Sequence, residues 1–287
     1  MKRGSLVTFA QLSLALSPAS LLRTLFGGIS EGRQSLRDTY RVVSPFFPLR
    51  HGEGKRLLER IPEVELGAAV PLPSAMIVDL RYLYMDGATP FEDMTAILTL
   101  AIAQQPKGVL EVGTFWGSTT ANLARNLPQA KLHTIDLPPD AEEVNVLIAG
   151  QPVNDLHLIQ SRQVGKAFRG TELEARITQH FGDTATYDYG VIPDAVSFFM
   201  IDGSHTYEYA KSDTLVALTL GQGPSTLAWH DCNEYQSGVT RWLVEMIDAG
   251  LPVKRIAKTA VAYLQIDPQD ERVQSLLRKV SGKSGVN

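Results

Sequence analysis

Five short apolar runs in this chain carry an acid at or near their end: "GVLEV" with Glu111, "KLHTID" with Asp136, "ARITQHFGD" with Asp183, "AVSFFMID" with Asp202 and "STLAWHD" with Asp231. Runs of this kind read as buried strands, and strands that alternate with helical patterns form a mostly parallel sheet covered on both faces. In an open parallel sheet the ligand crevice lies beyond the carboxyl ends of the strands, so these acids converge on one rim. Any one of them is equally explained by a helix cap or a turn. Their recurrence points to a shared site. The pattern predicts an α/β, doubly wound, Rossmann-like sheet of seven mostly parallel strands. The segment "VKRIAKTAVAYLQI" supplies a terminal antiparallel pair.

The chain's 287 residues suffice for one large domain with an appendage. We place that domain at 76–287, after a helical N-terminal extension or cap at 1–75. Within the extension, Ser17 and Pro18 read as a helix start, Leu21, Leu22, Leu25 and Phe26 share a face, and Gly27-Gly28 is the stop. The leading "MKRGSLVTFAQLSLALSPAS" has the basic start of an export signal, but its polar residues make a poor apolar segment. A helix that docks on the body, a partner subunit or a membrane surface is the preferred reading. The single cysteine, Cys232, excludes an intrachain disulfide and suits a cytoplasmic protein. A net charge of -4 with no run of Lys and Arg excludes nucleic acid as the expected partner.

The first strand leads into "EVGTFWGSTT", with Gly113 and Gly117 four apart, and then into a helix over Ser118 to Asn126. A dinucleotide turn usually reads G-x-G-x-x-G, which lets the backbone close on a pyrophosphate at a helix N-terminus. Thr114 and Phe115 stand around the expected second glycine and would crowd a diphosphate. A ligand without phosphates fits better. S-adenosyl-L-methionine needs a tight turn, a strand-end acid for its ribose and an acceptor for its ammonium group. Glu111 and Gly113 suit the amino-acid end, and Asp136 is placed to accept both ribose hydroxyls.

Over about residues 90 to 266 the chain resembles the class I S-adenosylmethionine-dependent methyltransferases, whose seven-stranded sheet ends in an antiparallel edge. The resemblance rests on "EVGTFWGST", "TIDL", "FGD" and "IDGSHTYE". The last is similar to the D-G-x-H-x-Y-E segment of bacterial small-molecule O-methyltransferases, a group that includes enzymes acting on macrolide sugars and cephalosporin-biosynthesis proteins. The resemblance implies a cofactor loop of Glu111, Gly113, Thr114, Phe115, Gly117 and Ser118. It puts Asp136 on the ribose, Asp183 near the adenine, and Asp202 near the methionine portion or a metal.

An acceptor alcohol must lose its proton, and two devices are available. His205, just past the fourth strand-end acid, is a candidate base, the alternative being a helix-start histidine bonded to local backbone. The resemblance also implies a divalent cation such as magnesium, held by an acid after the fourth strand and by two oxygen ligands after the fifth. Asp202 and Asp231 match two of these places, but His230 stands where an oxygen is expected. A set of Asp202, His230 and Asp231 suits manganese, iron or zinc better than magnesium. His230 is otherwise the base without a metal, or a buried histidine satisfied by its neighbours. Arg162, Lys166 and Arg169 lie in a long connection that reads as an acceptor lid or a solvated loop. The expected enzyme is an O-methyltransferase with a small-molecule acceptor, a sugar or tailored natural product, and a homo-oligomer is admitted. The rivals are an NAD-dependent oxidoreductase and a cofactor-binding protein without catalysis.

Overall fold

The computed structural model describes residues 51–70, 76–81, 87–139, 162–192 and 195–280. All of them but His51 fall in one compact unit drawn from 52–150 and 162–287. The helix expected at 17–26 and the domain boundary near 75 lie outside the described residues.

The elements in chain order are α1 (His51–Leu58), β1 (Glu63–Val64), α2 (Leu66–Ala69), α3 (Phe91–Gln104), β2 (Gly108–Val112), α4 (Ser118–Asn126), β3 (Lys131–Asp136), β4 (Ile177–Phe181), β5 (Val196–Ile201), α5 (Tyr207–Leu220), β6 (Ser225–Trp229), α6 (Ser237–Asp248), β7 (Lys254–Ile256), β8 (Ala262–Ile266) and α7 (Glu271–Val280). Short 3-10 turns at Glu172–Arg176 and Tyr189–Val191 flank β4. The sheet runs β1-β7-β8-β6-β5-β2-β3-β4, and only β8 is antiparallel to its neighbours. This is the expected doubly wound architecture with its antiparallel pair. It has eight strands rather than seven, because the two-residue β1 adds in parallel to β7 through Glu63 and Val64.

Period-two alternation divides the central strands between two cores. Leu110, Val112, Phe199, Ile201, Leu227 and Trp229 face a core shared with Trp242 and Leu243 of α6 and Val273 of α7. Val109, Phe198, Met200 and Ala228 face the other, shared with Met94 and Ile97 of α3 and Leu123 of α4. Every residue of β2 and β6 is buried, as a strand covered on both faces requires. Two buried asparagines on α4 clasp the segment before α3: Asn126 accepts from the Val78 amide and donates to the Asp79 carbonyl, and Asn122 does the same for the amide and carbonyl of Arg81. Among the described residues no helix is long and apolar enough to cross a membrane.

Candidate active site

The sheet reverses its winding at β2, which has β3 on one side and β5 on the other. The crevice therefore opens past the ends of β2 and β5. Gly113 makes the turn out of β2 with φ +96°, and a Cβ there would overlap the Asp202 carbonyl oxygen at the end of β5. Both the left-handed backbone and the close approach demand glycine. Phe115 is also left-handed, at φ 49°. That conformation turns its amide onto the Asp136 carboxylate, to which it donates at 2.7 Å. Gly117 then caps α4 with φ +76°, and a Cβ there would overlap the buried Phe168 ring.

Asp136 is the most heavily bonded acid of this half. Oδ2 accepts from Phe115, and Oδ1 accepts from the Leu137 amide at 2.7 Å and from Arg162 Nη2 at 2.9 Å. Burial raises its pKa, and Arg162 and the two amides pull against that rise. Arg162 comes from the connection expected to be a lid or a loop. Its described part is fastened to the glycine turn: Gly165 donates to the Phe115 carbonyl at 3.0 Å and Ala167 to the Trp116 carbonyl at 2.9 Å. Lys166 sits 5.2 Å over the Trp116 ring, and Arg169 5.8 Å over Phe181.

Glu111 lies elsewhere than expected. Alternation along β2 turns it to the same face as Val109, under α4, where it is 1% exposed. Its Oε2 accepts from the hydroxyls of Thr120 on α4 and Thr134, its register partner on β3. Burial, with the nearby Asp202 and Asp136, pushes its carboxyl up to about 8 despite those two bonds. As it stands Glu111 is buried beneath the turn, with Oε2 taken by two threonine hydroxyls. Thr114 is likewise buried, its hydroxyl shared with Thr134 at 2.7 Å. Ser118 begins α4, and its carbonyl accepts from Asn122. Asp183 follows β4, where Oδ1 accepts from Tyr209 of α5 at 3.0 Å and from the Ala185 amide.

Across the switch point an acid–histidine row follows β5 and β6. His205 Nε2 lies 2.7 Å from Asp231 Oδ2, and His230 Nδ1 lies 3.1 Å from Asp202 Oδ1 and 3.3 Å from Asp231 Oδ2. His230 Nε2 is 2.9 Å from Asp93 Oδ2, on the first turn of α3, whose other oxygen accepts from the Ala260 amide at 3.1 Å. Burial opposes charge on His230, but Asp202, Asp231 and Asp93 hold its pKa well above the usual 6.5. Burial also opposes charge on Asp231, and the bonds from His205 and His230 keep it well below the ordinary carboxylate range. Asp231 has a left-handed φ of 56°, secured by Asn233, whose amide donates to the Asp231 carbonyl and whose side chain donates to Oδ1. Such backbone strain in a non-glycine residue is characteristic of functional positions.

Exposure separates the row into a front and a back. Side chains of His205 and Asp231 are 23% and 22% open, whereas His230 and Asp93 are 10% and 5% open. The reachable group is therefore Asp202, His205 and Asp231, and their ligating atoms lie within 4.8 Å of one another. His205 thus stands where His230 was expected in a cation set. His230 has both ring nitrogens on carboxylates and is a buried cation. Asp93 was not anticipated. Cys232 is buried, with its thiol pushed up to about 12 by that burial, which makes it inert.

Residues 110–232 match the family model of a methyltransferase domain. This stretch runs from β2 past β6 and holds the glycine turn, Asp136 and the front of the row, but not Asp93. Among solved structures, the chain is similar to cofactor-bound Rv0187 from MTB (16% identity, 83% of this chain and 99% of that one, TM-score 0.45). It is also similar to the O-methyltransferase TomG from Streptomyces achromogenes in complex with SAM (16% identity, 74% and 89% covered, TM-score 0.42). A third is the O-methyltransferase from Bacillus cereus in complex with SAH (15% identity, 80% and 97% covered, TM-score 0.38).

Proposed function

We propose that the chain is an S-adenosylmethionine-dependent O-methyltransferase acting on a hydroxyl of a small molecule, a sugar or tailored natural product. Three things support methyl transfer: the match of residues 110–232 to a methyltransferase domain, the sheet order, and the chemistry of the rim. One observation carries the reading. The Phe115 amide at the turn, where a pyrophosphate would seek a donor, is already spent on the carboxylate of Asp136. A rim of Asp136, Asp202 and Asp231 repels a diphosphate and favours a sulfonium cation. This disfavours the NAD-dependent alternative.

S-adenosylmethionine supplies a methyl group activated on positively charged sulfur. The chain's residues align the acceptor and accept its proton. Asp136 is assigned to the ribose, Gly113 to the amino-acid end and Asp183 to the adenine side. His205, beside Asp231 through Nε2, accepts the acceptor hydroxyl's proton as the oxygen–carbon bond forms and the methyl–sulfur bond breaks, leaving the neutral thioether. His230, clamped from behind by Asp93, fixes Asp202 and Asp231. A second reading has its own observation: Asp202, His205 and Asp231 fit a divalent cation in number and spacing. Their mixed donor set suits manganese, iron or zinc, which would lower the pKa of a bound hydroxyl.

The test is calorimetric titration of the purified chain with S-adenosylhomocysteine and with NADH, followed by transfer of labelled methyl to hydroxylated acceptors. Binding of NADH alone ends the methyltransferase reading. Binding of S-adenosylhomocysteine without turnover on any acceptor supports the non-catalytic alternative. Full activity after exhaustive chelation removes the cation.

A further inference from the structure

The sequence suggests that Asp136 accepts both ribose hydroxyls, but its oxygens are too occupied for that. An ionised carboxylate offers about four lone-pair positions. The Leu137 amide and Arg162 Nη2 fill those of Oδ1, and the Phe115 amide takes one on Oδ2. The Asp136 side chain is 14% exposed while that of Arg162 is 2% exposed, so a ligand reaches the acid from a side that the guanidinium does not share. Arg162 is built in. Its Nη2 also donates to the Leu137 carbonyl at 2.9 Å, and the segment behind it is fastened to the glycine turn through Gly165 and Ala167.

We infer that Arg162 is a positioning residue for the cofactor: it fills one oxygen of Asp136 and leaves a single acceptor position, on Oδ2, so that Asp136 takes one ribose hydroxyl and not two. This rests on the assignment of Asp136 to the ribose. The arrangement has a second consequence, for charge. The charged groups facing Asp136 are Arg162, from the connection after β3, and the buried Glu111 on β2, whose own shift registers Asp136; neighbouring β4 presents Phe181 at its register. Burial favours the protonated acid, and Arg162 is the one cation opposing it. Without Arg162 the acid protonates at a higher pH and ribose binding becomes pH-dependent.

Two measurements on the full chain test this. The first titrates the wild-type protein with S-adenosylhomocysteine and with its 2′-deoxy and 3′-deoxy analogues. One analogue should lose about tenfold in affinity, as expected for a lost hydrogen bond to a charged group, and the other should lose about twofold or less. Equal responses of the two analogues overturn the proposal. The second compares Arg162→Met and Arg162→Lys with wild type across mildly acidic to mildly alkaline buffers. The ratio of the Met variant's Kd to that of wild type should rise about tenfold toward acid, and the Lys variant should restore a nearly flat ratio. A flat ratio for Met overturns the positioning role. Asp136→Ala separates the two levels: if it leaves S-adenosylhomocysteine affinity unchanged, the ribose assignment itself fails. If it weakens binding while either test above comes out against Arg162, only the present inference fails.

Discussion

On the β2–β3 side of the crevice Asp136 is held by an arginine and two backbone amides. On the β5–β6 side Asp202 and Asp231 are held by His230 from behind, and Asp231 also by His205 in front. The first arrangement is the proposed ribose seat. The second sets the proposed base, His205, in front of a buried cation, His230. The pH behaviour differs accordingly. His230 contributes its full stabilisation below the ordinary histidine value of 6.5 and loses it as pH rises through its raised folded value. Asp231 contributes above its ordinary 3.8 and loses that contribution as pH falls through its depressed folded value. The acid–histidine row is therefore strongest between those limits.

The largest effect expected to sharpen this contrast is on stability. His230→Gln leaves Asp93, Asp202 and Asp231 facing one another without their buried cation, and should cost about 3–5 kcal/mol in denaturant unfolding near neutral pH. A loss below about 1 kcal/mol means that the row is not held by a buried charge, and the contrast between the halves collapses. Next comes His205→Ala, which should lower turnover about a hundredfold, or roughly 2.7 kcal/mol, and change S-adenosylhomocysteine affinity less than about twofold. Asp136→Ala should show the opposite split: cofactor Kd up about tenfold, roughly 1.4 kcal/mol, with turnover at saturating cofactor largely kept. Turnover and affinity falling together in both variants would show that the rim is not divided in this way.

The β2–β3 half was the more legible in sequence because its parts are contiguous. The β2 run, the two glycines and the helix Ser118–Asn126 lie within one stretch, and each has a local signature. The antiparallel β7 and β8 were also readable, since both strands and their turn are adjacent. What escaped reading depends on distant partners. β1 has only two residues, and its pairing exists only because β7 returns beside it. Asp93 resembled an ordinary acid favouring a helix N-terminus. Its one signal was its place on the apolar stripe of α3, one helical turn before Ile97 and two before Ala101, both buried. Arg162 comes from a long connection whose docking on the glycine turn has no sequence pattern. Glu111 was placed by its motif, whereas its alternation with Val109 puts it on the face packed under α4.

Glu111 also supplies the smallest expected effect on cofactor affinity, and the one that most directly separates motif from geometry. Its carboxyl is pushed up to about 8, chiefly by burial, so near neutrality it is mostly protonated and already resembles a neutral amide. Glutamine has nearly the same shape and an oxygen that can accept from Thr120 and Thr134, so Glu111→Gln should change stability by less than about 0.5 kcal/mol below the ordinary value of 4.5, where the acid is protonated in both the folded and the unfolded chain. The sign of its pH dependence follows from linkage. A carboxyl whose folded pKa exceeds the ordinary 4.5 gives its full stabilisation below that value and loses it as pH climbs toward and past about 8. The amide does not titrate, so the melting temperature of the variant relative to wild type should rise steadily over that interval. A difference that stays flat with pH means that the acid is not buried as the structure has it. Affinity for S-adenosylhomocysteine should stay within about twofold of wild type. A tenfold loss instead would return Glu111 to the ammonium contact that its motif suggested, and would make the turn's underside part of the binding seat.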